Sequence, residues 1–164
     1  MLLDIEQAIH GHLSVASALN ELATMETMED AYDDAEAHFS EALSIWRKIY
    51  GNEHQFIGVG LSNLGSVFMG KKQYVNAERM YREALQVFVA TVHENHTGIA
   101  HLKLGRALLR QRRYEEAEVE TLRGYETLLG LVNPANNFLK AAKLDLVQIY
   151  TGLNRKKDAE RYRE

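Results

Sequence analysis

One short phrase recurs four times along this chain, and it constrains the fold more than any other feature. The phrase reads YDDAEAHF, YVNAERMY, YEEAEVET and KKDAERYR, with its alanine at Ala35, Ala77, Ala117 and Ala159. A leucine row keeps the same spacing of 40 or 42 residues, at Leu22, Leu64, Leu104 and Leu146. Such a period is the signature of a repeat array, in which each unit buries its apolar face against its neighbours. We therefore expect an extended surface rather than a fold built around one pocket.

Composition favours helices and excludes several classes of function. The chain contains one proline and no cysteine. Proline is poorly tolerated inside helices, so its scarcity leaves room for nearly continuous helix, and no stretch shows the alternation typical of strands. The lack of cysteine excludes disulfides, thiol catalysis and cysteine zinc sites. A net charge of −4 gives no sign of nucleic-acid or membrane-surface affinity. No apolar run is long enough to span a bilayer, and the sequence shows no signal-peptide pattern. We therefore expect a soluble, cytoplasmic protein.

The unit from residue 54 to residue 95 shows what one repeat contains. Apolar residues at three- and four-residue steps predict a first helix that ends at Gly70 and a second that begins near Tyr74. Gly65 lies inside the first apolar stripe. A glycine within a helix costs about 1 kcal/mol against alanine, so we expect a partner helix to cross close to the backbone there. The unit is predicted to be a helical hairpin whose packing is set by residue size.

This pattern resembles a known repeat family. The residues that carry the likeness are Leu64, Gly65, Phe68, Tyr74, Ala77, Tyr81, Ala84 and Leu85. They resemble the tetratricopeptide repeat, and the long period with its GNEH and HENH links is similar to the kinesin-light-chain subtype. The resemblance implies an all-α, right-handed superhelical solenoid of antiparallel helix hairpins. The first unit departs from the pattern at Glu26 and Met28, and the third at Thr121 and Gly124. We expect weaker packing at these positions.

Alignment of the units gives the expected domain organisation of a single repeat domain over residues 1–164. LDIEQAIHG at the start matches LSIWRKIYG at an offset of 40 residues, which assigns residues 1–11 to the second helix of a partial repeat. Repeats over 12–53, 54–95 and 96–134 follow, and 135–164 forms a partial repeat. The chain is read as a module of a longer protein, and the alternative is a small protein with a short first helix. The last unit is similar to repeat modules appended to bacterial serine/threonine kinases.

The histidines are candidate metal ligands, but their spacing indicates a structural role. His12, His54 and His96 recur every 42 residues, at the predicted start of each first helix. The nearby HENH segment lacks the four-residue histidine spacing of the HExxH zinc motif. No metal or cofactor is expected. Carboxylates cluster at helix starts, where their negative charge interacts favourably with the helix dipole. No serine lies in a nucleophile motif, and we expect no catalytic activity. The short basic run at residues 110–113 lacks interleaved aromatics, and no nucleic-acid binding is expected.

The resemblance places the functional surface in a concave groove lined by the first helices. Its candidate residues are Asn20, Thr24, Val59, Ser62, Asn63, Ser66, Lys103, Arg106, Arg110 and Asp145. Asn63 holds the family's groove asparagine position, where an amide can bind a peptide backbone as donor and acceptor. Lys103, Arg106 and Arg110 step by three and four residues, which predicts a cationic strip for a carboxylate or phosphate. A solvated helix face is the alternative reading.

The expected function is binding of a protein or an acidic peptide, without catalysis. Two alternatives come from other classes. The chain is a regulatory or targeting domain of a larger signalling enzyme, such as a bacterial protein kinase, or it is a self-assembly module. In the second case, uncapped ends would expose an apolar face to a second copy, giving a homodimer.

Overall fold

The structure, a computed structural model, describes residues 2–163, with side chains from residue 5 onward. Helix follows helix throughout this range, and none of its residues lies in a strand. The helices are α1 (Leu2–Met28), α2 (Tyr32–Tyr50), α3 (Gln55–Gly70), α4 (Tyr74–Ala90), α5 (Glu94–Arg110), α6 (Tyr114–Leu129), α7 (Asn137–Gly152) and α8 (Lys156–Glu160). The all-α prediction is confirmed. No described helix combines the length and apolarity needed to cross a membrane.

The helices pack as consecutive antiparallel hairpins. Contacts are dense within α1–α2, α3–α4, α5–α6 and α7–α8, and each hairpin also contacts the next. The alanines of the recurring phrase are at most 1% exposed, because each lies where helices meet and a larger side chain would separate them. The repeat limits derived from the sequence stay a prediction.

Gly65 shows why glycine is needed inside an apolar stripe. A Cβ atom built on Gly65 would overlap the ring of Tyr81 on α4. The predicted close crossing of a partner helix is therefore present. Gly70 at the end of α3 meets the ring of Tyr32 in the same way, so its absent side chain serves packing as well as helix termination.

Helix α1 differs from the sequence expectation. It runs through Gly11 without a break, so the helix boundary expected between residues 11 and 12 is absent. A Cβ on Gly11 would meet no atom within 4 Å. His12 consequently lies inside a helix and is exposed, which corrects its predicted place at a helix start. His54 does cap α3, where Nδ1 accepts a hydrogen bond from the backbone N–H of Phe56 at 3.2 Å.

The third repeat is packed tightly at the two positions where weaker packing was expected. Thr121 is fully buried and lies against Gly105 of the facing helix. A Cβ on Gly124 would lie 2.6 Å from the carbonyl oxygen of Gly98. Small residues therefore let α5 and α6 approach each other closely instead of leaving a gap, and the expectation of weaker packing there is wrong.

A recurring charged contact joins neighbouring repeats on the side of the even-numbered helices. Each of the first three phrase alanines is followed by a glutamate, and a residue from the next hairpin's turn reaches it. The bonds are Lys71 Nζ to Glu36 at 2.8 Å, Arg113 Nη1 to Glu78 at 2.7 Å, and Arg155 Nη1 to Glu118 at 2.8 Å. We call these three bonds the outer clamp. Their recurrence at the repeat spacing indicates that they fix the rotation of one hairpin on the next.

Candidate functional site

The odd-numbered helices form the inner face of the array. Helix α1 contacts α3, and α5 contacts α7, although each pair is separated by an intervening helix in the sequence. Successive helices that touch across repeats lie on the inside of a curved stack, which places a concave surface on α1, α3, α5 and α7. This is the surface that the candidate groove residues share.

Polar side chains join each inner helix to the next. Asn63 Nδ2 donates to Asn20 Oδ1 at 2.9 Å, between α3 and α1. Lys103 Nζ donates to the hydroxyls of Ser62 and Ser66 at 3.0 and 3.2 Å, between α5 and α3. The third link, between α5 and α7, is the pair of Arg106 and Asp145, with Nε to Oδ2 at 2.8 Å. We call these three links the inner ladder. Eight of the ten predicted residues are thus near neighbours in one continuous row, since Val59 lines the same surface.

Two small cavities open on this row, and Asn63 lines both of them. The first has a volume of about 180 Å³ and is lined by Thr24, Thr27, Met28, Phe39, Asn63 and Ser66. The second has a volume of about 190 Å³ and is lined by Val59, Ser62, Asn63, Phe88, His96, Ile99 and Lys103. Larger surface depressions lie elsewhere on the molecule, away from the inner ladder. The arrangement offers a polar centre between two partly apolar recesses.

The amide of Asn63 keeps part of its bonding capacity. One of its N–H groups is used by Asn20. Its Oδ1 atom and its second N–H have no hydrogen-bond partner among residues 2–163. A primary amide has two donors and two acceptor lone pairs, so one donor and the acceptor oxygen remain for a ligand. Thr24, by contrast, donates its hydroxyl hydrogen to the carbonyl oxygen of Asn20 at 2.7 Å.

Lys103 carries the most desolvated positive charge of the site. Its described partners are two neutral hydroxyls and the ring of Tyr81, whose centroid lies 5.8 Å from Nζ. Burial, and to a lesser extent the nearby charge of Arg106, lowers the pKa of Lys103 to about 8. The ammonium is thus less stable here than on the surface, because burial disfavours the charged form.

The predicted cationic strip is not a row of three free charges. Arg106 points to the next repeat and pairs with Asp145, which is only 4% exposed. Burial raises the pKa of Asp145, while the hydrogen bond and charge of Arg106 and the charge of Arg110 act against that rise. Arg110 is exposed at the end of α5. The sequence placed these side chains on one helix face but could not show that α7 supplies a counter-ion.

Sequence reasoning missed the apolar walls of the two cavities. Phe39 and Phe88 come from even-numbered helices, and Ile99 and His96 lie at the start of α5. Their contribution to the groove depends on hairpin packing, which a residue pattern does not report.

Two further histidines have carboxylate partners within the hairpins. His38 Nδ1 lies 2.8 Å from Glu26, and His101 Nδ1 lies 2.6 Å from Glu120. Glu26, a departure from the repeat pattern, therefore has a defined partner. In the part of the chain that the structure describes, no three His, Cys, Asp or Glu side chains are grouped so that they could hold a metal ion.

Curated relatives match parts of the chain. The RxLR effector protein SFI4 of Phytophthora infestans (strain T30-4) is 29% identical over 82 residues, which cover 48% of this chain and 24% of that protein. The secreted RxLR effector protein RXLR-C07 of Plasmopara halstedii is 25% identical over 113 residues, which cover 69% of this chain and 30% of that protein. The matched region thus spans less than a third of the length of these relatives.

Solved structures share the fold over nearly the whole chain. BtubC (BKLC) from P. vanneervenii superposes with a TM-score of 0.81 at 20% identity, covering 90% of this chain and 60% of that one. The nearly identical TPR-like repeats of a putative kinesin light chain from Podospora anserina superpose with a TM-score of 0.80 at 16% identity, covering 92% and 72%. The second likeness agrees with the kinesin-light-chain resemblance of the sequence.

The family assignment follows from the sequence and the fold together. The tetratricopeptide repeat model matches residues 14–68 and 56–119, which together span more than half of the chain. Proteins of this fold are typically non-catalytic scaffolds whose curved surfaces serve protein interaction. The hairpins, the spacing and the matched residues agree, and this chain belongs to the tetratricopeptide repeat family.

Proposed function

We propose that this protein binds an extended segment of a partner protein along the inner ladder, without catalysing a reaction. The observation that carries the proposal is the half-satisfied amide of Asn63, placed between two cavities of about 180 and 190 Å³. An unused donor and an unused acceptor on one amide match the acceptor and donor of a peptide bond. Side chains on either side of that peptide bond would enter the two cavities.

The charge of the site favours an acidic segment. Lys103 lies at one cavity with only neutral hydrogen-bond acceptors, and Arg110 is exposed beyond it. A desolvated charge without a counter-ion is unfavourable, and a ligand carboxylate would relieve that cost. We expect Lys103 to dominate this preference, since Arg106 already has Asp145.

An array of acidic, neutral and basic 12-residue peptides, followed by fluorescence anisotropy of the hits, tests this function. The Asn63→Ala variant should raise the Kd of a bound peptide at least tenfold, which corresponds to about 1.4 kcal/mol. Asn76→Ala is the matched control, because Asn76 lies on α4 and bonds Gln73 on the outer side. Equal loss in both variants, or binding unaffected by Asn63→Ala, would refute the groove.

Self-assembly is a second candidate, and α1 supplies the observation for it. Val15, Leu22 and Met25 follow one face of this helix and are 49%, 43% and 60% exposed. Leu22 belongs to the leucine row whose other members are at most 6% exposed. A second copy covering this face would form a homodimer. Light scattering over a hundredfold range of concentration distinguishes the two: a constant monomer mass excludes self-assembly, and Leu22→Glu should abolish any dimer.

The setting of the module is also part of the proposal. A role as a regulatory or targeting domain of a larger protein, including a kinase, accords with the short stretch that is shared with the much longer curated relatives. We propose a cytoplasmic location from the cysteine-free sequence. One relative is named as secreted. Fractionation of cells producing the complete gene product would decide between the two compartments.

A further inference from the structure

Lys103 differs from a lysine of the outer clamp in what surrounds its amine. Lys71 Nζ donates to Asp33 and Glu36 at 2.6 and 2.8 Å, and these carboxylates raise its pKa. Lys103 Nζ donates to two serine hydroxyls and has no carboxylate bonded to it among residues 2–163. The charged form of Lys103 therefore lacks the stabilisation that holds Lys71 protonated.

The same amine lies at a cavity with apolar walls. Val59, Phe88 and Ile99 line the recess of about 190 Å³ beside Lys103. His96 also lines it, and burial lowers the pKa of that imidazole, which favours its neutral form and adds no second positive charge. The recess suits a short apolar chain attached to a polar head.

The geometry around the nitrogen favours attack on an electrophile. A protonated amine has three N–H groups, and Ser62 and Ser66 accept two of them. Loss of the third proton leaves a lone pair directed away from both serines. The pKa of about 8 places a substantial share of Lys103 in the neutral form near neutral pH. Desolvation and a neighbouring cation are the two means by which proteins activate a lysine as a nucleophile.

We propose that Lys103 is an acylation site that accepts short acyl groups from acyl thioesters. The neutral Nζ attacks the thioester carbonyl carbon, a C–N bond forms, and the C–S bond breaks. The thiolate leaves and takes up the proton released by the nitrogen, so no oxidant or other co-reactant is required. The acyl chain then occupies the recess lined by Val59, Phe88 and Ile99, and the positive charge of Lys103 is lost. The same amine serves the proposed capture of an acidic segment, so acylation, which removes its charge, should weaken that capture.

Site-resolved mass spectrometry of the intact protein tests the inference. The protein is incubated with S-butyryl-N-acetylcysteamine at pH 7.5, and the initial rate of butyrylation is measured at Lys103 and at Lys71. About one quarter of an amine with a pKa near 8 is neutral at this pH, against about one thousandth for an ordinary lysine. We expect Lys103 to react at least tenfold faster than Lys71, with a rate that levels off above pH 8. An equal or slower rate at Lys103, or a rate that still rises at pH 10, would overturn the proposal.

The acyl chain's place is tested by filling the recess. Val59→Leu should slow butyrylation of Lys103 at least threefold relative to acetylation by the corresponding acetyl thioester. Val75→Leu is the matched control, because Val75 is 69% exposed on α4. A general loss of structure would change both acylation rates, whereas a filled recess changes their ratio. An unchanged ratio in Val59→Leu would show that the acyl chain lies elsewhere and would overturn the assigned recess.

Discussion

The outer clamp and the inner ladder both join neighbouring repeats, but they do so with different chemistry. The outer clamp uses the same kind of pair three times: a glutamate after the phrase alanine and a cation from the next turn. The inner ladder uses an amide pair, then an ammonium with two hydroxyls, then an arginine with a carboxylate. Contacts that recur in the same form at each repeat, such as the outer clamp, hold neighbouring repeats together. Chemistry that changes in each repeat distinguishes one part of the groove from another, and this is where specificity is to be sought.

Two equally buried carboxylates, one in the outer clamp and one in the inner ladder, differ in the direction of their pKa shift. Glu78 of the outer clamp and Asp145 of the inner ladder are both 4% exposed. Burial acts to raise the pKa of Glu78, but hydrogen bonds from Gln111 and Arg113 and the charge of Arg82 lower it overall. The pKa of Asp145 stays raised, because burial prevails over the bond from Arg106, its one hydrogen-bond partner among the described side chains of residues 5–163. The number of donors thus decides whether desolvation or pairing prevails.

The largest expected effect is that of Glu78→Ala on stability. This change leaves Gln111 and Arg113 without their buried acceptor, which should lower the free energy of unfolding by about 3 kcal/mol. Chemical denaturation followed by circular dichroism measures it. Glu36→Ala is the matched control in the preceding clamp, and its side chain is 36% exposed. We expect less than about 1 kcal/mol there. Similar losses at both positions would contradict the distinction drawn by burial.

The two carboxylates should also respond oppositely to pH. The lowered pKa of Glu78 contributes stability above the unfolded value near 4.3, and this is lost as pH falls through the folded value. The raised pKa of Asp145 does the reverse: the folded state binds the proton more tightly, so stability falls as pH rises from about 4 through the folded value.

The corresponding amide variants measure these contributions between pH 3 and pH 8. Glu78→Gln should cost about 2 kcal/mol at pH 7, and this cost should diminish towards pH 3. Asp145→Asn should change stability at pH 7 by less than about 1 kcal/mol, because the amide keeps an acceptor oxygen for Arg106. If the stability of the two variants changed with pH in the same way, the distinction between the outer clamp and the inner ladder would be contradicted.

A small effect of the opposite sign is expected outside the outer clamp and the inner ladder, at Val92. This residue joins α4 to α5 with φ of 56° and is 79% exposed. A β-branched residue is strained in the left-handed region, so Val92→Gly should raise the free energy of unfolding by about 1 kcal/mol. Gly51, with φ of 74°, provides the reciprocal test, and Gly51→Val should lower stability. Peptide affinity should be unaffected by either change. A loss of stability in Val92→Gly would contradict the strain.

Much of the fold could be predicted because local patterns specify it. The apolar steps predicted the end of α3 at Gly70 and the start of α4 at Tyr74, and the glycine inside the stripe correctly predicted the close approach of a partner helix. The helix break expected at Gly11 is absent, because one glycine without a competing contact does not end a helix. The weaker packing expected at Thr121 is not observed, because small residues on α5 allow α5 and α6 to approach each other closely.

The sequence by itself determined that this chain is a repeat array of helical hairpins with small alanines at the helix contacts. The family resemblance, and not the period, predicted that the first helices line a groove. Only the tertiary structure decided what the polar groove residues do. Arg106 and Lys103 look alike in a helix pattern, yet Arg106 pairs with Asp145, whereas the hydrogen-bond partners of Lys103 among the described side chains are hydroxyls. The physical reason is range: helix formation depends on residues three and four apart, whereas desolvation and charge pairing depend on side chains about 40 positions away that only packing brings together.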